Sequence, residues 1–63
     1  MSDISGILRG LRLEVETKAP DEEPTPLQYS WLDFIREHNG VSFWCDSLEL
    51  CRLKLRVEFE RRE

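Results

Sequence analysis

Leu53-Lys54-Leu55-Arg56-Val57-Glu58-Phe59-Glu60 alternates apolar and charged residues without a fault. Period two marks a strand with one face buried and the other in water. The competing reading is a helix. Asp46-Ser47-Leu48-Glu49 has the form of a capping box with Cys45 and Leu50 as its staple, and Trp44, Leu48, Cys51, Leu55 and Phe59 recur at helical spacing. A helix, however, carries Leu50, Leu53 and Val57 on its opposite side as a second apolar stripe. A strand leaves no such stripe over these eight residues. The alternation favours a final strand, with a second helix over 46–62 as the alternative.

Leu11-Arg12-Leu13-Glu14-Val15-Glu16 repeats the pattern and predicts a strand from about Ile7 to Thr17, with Gly6 and Gly10 arguing against a helix there. An antiparallel register with Leu11 opposite Phe59 pairs Arg12 with Glu58, Glu14 with Arg56 and Glu16 with Lys54. Each such pair contributes at most ~0.2–1 kcal/mol. The parallel register sets Arg12 beside Lys54 and Glu16 beside Glu58, like against like.

Between these segments Thr25-Pro26-Leu27-Gln28 supplies an N-cap, a proline at the first helical position and a reciprocal capping residue. Leu27, Trp31, Phe34, Ile35 and His38 follow on one helical face, and Asn39-Gly40 offers a left-handed stop. A helix from Pro26 to His38 is expected. Residues 18–25, with two prolines and Asp21, Glu22 and Glu23, read as an exposed acidic linker. Val41-Ser42-Phe43-Trp44-Cys45 is rich in strand formers and precedes an Asp46-Ser47 turn signal; a bulge near Cys51-Arg52 would restore the phase of the last strand. The expected fold class is α+β, one small domain over residues 1–63. Its arrangement is a split β-α-β-β, with one helix on a mixed sheet and the last strand between the first two. The alternative is a helical hairpin. The core is read as Leu11, Leu13, Val15, the helix face, Phe43, Leu53, Leu55, Val57 and Phe59, and the other sheet face as charged.

Composition narrows the function. A chain of 63 residues buries only ~60% of its unfolded surface, so a cavity for catalysis is hard to build. Apolar residues at 40% and charged residues at 35% favour a compact domain over disorder. No signal segment and no membrane-length apolar run is visible, so a cytoplasmic protein is expected. Two cysteines, Cys45 and Cys51, read as free thiols rather than a disulfide scaffold. With His38 they make an H-x6-C-x5-C spacing that fits no standard zinc site, and a Cys–His nucleophile would need a lowered thiol pKa, an orienting third group and a pocket. No catalytic residue, metal or cofactor is expected. Gly6 and Gly10 form no phosphate loop; their expected role is backbone freedom or close approach of another backbone at a sheet edge.

The net charge of −4 argues against a general phosphate-binding field. Arg52, Arg56, Arg61 and Arg62, with Lys54, form a basic strip interrupted by Glu49, Glu58, Glu60 and Glu63. That strip carries the alternative reading, a nucleic-acid-binding regulator that gathers basic residues in a dimer. The leading reading is a small non-enzymatic module that binds another protein as an accessory regulator or inhibitor, as a homodimer. Size and charge resemble those of phage accessory proteins only by analogy. Tyr29 and Trp44, off the main apolar stripes, and the acids Asp21, Glu22 and Glu23 are the candidate partner contacts.

Overall fold

The computed structural model describes residues 3–62. Met1 and Ser2, at the start of the segment read for a signal, and Glu63, one of the acids interrupting the basic strip, lie outside the described residues. The chain is α+β, a three-stranded mixed sheet with two helices in the order β-β-α-β-α.

The single strand expected from Ile7 to Thr17 is a hairpin of β1 (Ile4–Leu8) and β2 (Leu11–Thr17). Arg9 and Gly10 form the turn, both with positive φ (54° and 78°). That combination belongs to the type I′ turn, whose twist matches that of paired strands. β1 runs antiparallel to β2 from Leu8↔Leu11 to Ile4↔Val15. At the open end, Asp3 Oδ2 accepts hydrogen bonds from the Thr17 amide (2.9 Å) and hydroxyl (2.7 Å). These bonds hold the Asp3 carboxyl below its usual range.

Helix α1 (Pro26–Glu37) has the expected start: the Thr25 hydroxyl accepts from the Gln28 amide, and the Gln28 side chain accepts from the Thr25 amide. Such a cap contributes ~1 kcal/mol. The Gln28 side-chain NH2 donates to Glu16 Oε1 at 3.1 Å, so the same residue ties the helix start to the sheet. The helix stops with Asn39 at φ 67° and the Gly40 amide donating to Ile35 O. β3 (Val41–Cys45) then pairs parallel with β2, from Leu13↔Val41 to Thr17↔Cys45.

The alternating segment Leu53–Glu60 is not a strand but the body of helix α2 (Leu48–Glu60). Two local forces decide this. The Ser47 hydroxyl accepts from the Leu50 amide as an N-cap, and Leu, Lys, Arg and Glu, which dominate the segment, are strong helix formers. The second stripe is tolerated because Leu53 (56% exposed) and Val57 (43%) stay at the surface. The helix packs Leu50, Cys51, Leu55 and Phe59 on the sheet. β2 and β3 are therefore direct neighbours, with no strand between them. The pairings proposed for Arg12, Glu14 and Glu16 with the last segment do not form. A helical hairpin is not formed either, since the sheet remains.

The helices take opposite faces of the sheet. On one, Val15, Val41, Phe43 and Cys45 are the buried centre, with Leu11 and Leu13 half-buried beside them under α2. Each fully buried Val or Phe side chain contributes ~1.5–3 kcal/mol. On the other, α1 covers the charged face: Glu14 and Glu16 are buried, and the Ser42 hydroxyl donates to Leu32 O. The helix turns Leu32 and Ile35 inward, so the expected core stripe is displaced. Leu27, Phe34 and His38 are exposed, and Trp31 is half-buried. The connection over residues 18–25 makes a turn with the Glu22 amide on Ala19 O; Asp21, Glu22 and Glu23 are exposed, whereas Pro24 is buried.

Gly40 sits where α1 meets β3. A Cβ there would stand 2.6 Å from Ile35 Cγ2 and 3.2 Å from Arg12 O, while a Cβ on Gly6 would meet nothing within 4 Å. Gly40→Ala should lose ~1–3 kcal/mol from overpacking in a urea titration. Gly6→Ala should lose much less, and equal losses would contradict this packing.

Candidate functional site

β3 is an edge strand, and its outer side is where α1 and α2 come together. A groove of about 530 Å³ runs along it. Tyr29 and Arg36 of α1 form one wall; Leu53, Lys54, Val57 and Glu58 of α2 form the other; Ser42, Phe43 and Trp44 form the floor. The fold thus brings Tyr29 and Trp44, the two aromatics selected from sequence, into one concavity. Phe43 turns to the α2 core and is buried, so Trp44, its neighbour on the strand, faces the other side and is half-buried. Leu53 and Val57, expected as core, are instead its exposed apolar wall.

Two long cations close the strand edge. Arg36 donates to Ser42 O, and Lys54 Nζ donates to Trp44 O at 2.6 Å while lying 5.1 Å from the Trp44 ring centroid. Exposed edge carbonyls would otherwise invite another strand, and charged side chains on them blunt that tendency. A ligand of this groove therefore finds two of the edge carbonyls, Ser42 O and Trp44 O, already taken by side chains.

Glu58 fixes the groove's far end. Its Oε1 lies 3.1 Å from Arg36 Nη1, and its Oε2 accepts from Arg62 Nη1 at 3.0 Å. Arg62 also donates to Gly40 O at 3.4 Å. Burial alone would raise the Glu58 pKa, but the bonds from Arg62 and Arg36 outweigh it, and the carboxyl titrates below its usual range. The acid alternating with apolar residues in the sequence is thus turned inward, joining both helices.

The remaining candidates are dispersed. Asp21, Glu22 and Glu23 lie on the exposed connection, and none lines the groove. Of the basic strip, Arg62 is bonded to Glu58 and Arg61 lies 4.0 Å from it, while Arg52 and Arg56 are exposed on α2. His38, whose Nδ1 is 2.8 Å from Phe34 O, follows α1 at the start of β3, and Cys45 is at the end of β3. About 13 Å of strand separates those ends. Burial, helped by a hydrogen bond with Cys51, pushes the Cys45 thiol up to about 11. Among the described residues no three His, Cys, Asp or Glu side chains converge as metal ligands, and no helix is long and apolar enough to cross a membrane.

Two features were not legible in sequence. A second open concavity of about 660 Å³ lies between Glu16 and the α1 residues Leu27, Trp31 and Phe34. Beneath α1, Glu14 is fully buried with Oε1 2.9 Å from Arg12 Nη2, while Glu14 Oε2 and Trp31 Nε1 are buried without a hydrogen-bond partner among the described residues. No family model, curated protein or solved structure matches the chain.

The Glu58 network yields a pH prediction. A carboxyl with a depressed native pKa contributes its stability above the unfolded value of ~4.3 and loses it as pH falls through the lower native value. Glu58→Gln should lower stability at neutral pH and make the acid loss shallower below that value, as read by urea titrations at stepped pH. An acid limb as steep as that of the wild type would contradict the network.

Proposed function

We propose that this chain is a small non-enzymatic interaction module. It binds another protein through the groove beside β3 and acts as an accessory regulator or inhibitor, as a homodimer. The observation carrying this reading is the convergence of Tyr29, Trp44, Leu53 and Val57 on one open concavity. Exposed apolar and aromatic side chains around a groove suit an amphipathic partner segment, whose apolar anchors would fill it. Lys54, Arg36, Asp33 and Glu58 line the same groove and give it polar points of register. The raised Cys45 pKa weighs only against Cys45 as a nucleophile, because a protonated buried thiol is a poor one. A cytoplasmic setting agrees with two free thiols.

Duplex binding by Arg52, Arg56, Arg61 and Arg62 is the competing proposal. The commitment of Arg62 and the proximity of Arg61 to Glu58 weigh against it. Salt-dependent retention on duplex DNA would favour it.

The test uses Leu53, exposed on the groove wall, and Trp44, half-buried on its floor, neither of them in the buried cluster. Tagged chain is recovered from its native cell, alone and as Leu53→Glu and Trp44→Ala. A protein recovered with the wild type should be lost with both variants, while the thermal midpoint of Leu53→Glu stays near that of the wild type. Retention of the same protein by both variants would refute the groove as its site.

A further inference from the structure

β1 is exposed along its whole length and pairs on one side only. We infer that its free edge is the self-association interface, with two copies pairing β1 to β1 antiparallel about a twofold axis at Gly6. This inference rests on the homodimer part of the reading above and is separable from the groove.

The hairpin geometry determines which main-chain groups are free. A two-residue turn closes on a hydrogen-bonded pair, here Leu8↔Leu11, and pairs alternate from there. Ile4, Gly6 and Leu8 therefore bond to β2, and the N–H and C=O groups of Ser5 and Ile7 point outward. Antiparallel pairing about Gly6 sets Ser5 of each copy opposite Ile7 of the other. Each such pair exchanges two hydrogen bonds. Gly6 faces Gly6 in a close, non-bonded pair, and the space beyond its Cα is open.

The sequence of β1 is self-complementary in this register. Ile4 (47% exposed) meets Leu8 (39%) on the α2 side, and Ile7 (73%) folds against Ser5 on the other. Asp3 and Arg9 bracket the strand and are engaged within their own chain, Asp3 with Thr17 and Arg9 over the Phe59 ring, so the apolar side chains between them carry the register. A second copy is favoured over a fibre because the other sheet edge is closed by Arg36 and Lys54. With the β3 edge blunted by these side chains, an isologous β1 contact completes a six-stranded sheet.

The full chain carrying Gly6→Cys, Ser5→Cys or Ile7→Cys is oxidised mildly and run on a non-reducing gel, with the wild type giving the baseline from Cys45 and Cys51. Only Gly6→Cys places identical thiols opposite each other within disulfide reach, so it should give the dominant dimer band. In parallel, light scattering should give twice the 7.5 kDa chain mass. Ile7→Pro, which removes an outward N–H but no β1–β2 bond, should return it to the single mass. A wild type that is monomeric up to millimolar concentration overturns the inference. So does a dimer that cross-links best through Ser5→Cys or Ile7→Cys, or that survives Ile7→Pro; such a dimer uses another register or surface. Each of these failures leaves the groove reading intact, because that reading is scored by the Leu53 and Trp44 variants.

Discussion

Closure of the β3 edge is the constraint on which the rest of this small structure depends. Arg36 from one face of the sheet and Lys54 from the other reach the same row of carbonyls, and Glu58 on α2 binds Arg36 of α1 and Arg62 just past the end of α2. A sheet of three strands is short of partners on both sides. Here one side is closed by side chains, and the resulting asymmetry leaves β1 as the edge from which the sheet can grow. A buried carboxylate is costly when isolated; held between two guanidinium groups, Glu58 gives the helices a fixed spacing.

The helical capping signals were legible because they are local. Thr25, Pro26 and Gln28 act within one turn, and the structure realises each of their roles. Val41–Cys45 was likewise legible, since its β-branched and aromatic residues lie between a glycine and a polar turn. The α+β class followed from these elements. The hairpin turn was harder to see. Arg9-Gly10 lacks the Asn-Gly or Asp-Gly signature, and Arg9 enters the left-handed region without a side chain suited to it.

The last segment was misread for a physical reason. Its alternation is real, but two of its charged residues, Lys54 and Glu58, face the β3 edge, while two of its apolar residues, Leu53 and Val57, face solvent. Periodicity assigns charged residues outward and therefore mistakes this inversion for a strand. The same inversion appears beneath α1, where Glu14 and Glu16 lie under a helix rather than in water. Leu27 and Phe34 are the counterpart, apolar yet exposed. Tyr29 and Trp44, which line the groove, stand out in the sequence because they fall off the apolar stripes. Their groove partners do not, because Leu53 and Val57 read as core. Charge turned inward and hydrophobes turned outward are the observations on which the proposal of association rests.

Residue-resolved amide hydrogen exchange across a concentration series tests that claim most directly. The account predicts that Gly6 and Leu8 are protected at every concentration through β2, and that Ser5 and Ile7 gain protection as concentration rises. Fast exchange of Ser5 and Ile7 at all concentrations would contradict it, as would new protection appearing at Ser42 and Trp44 instead.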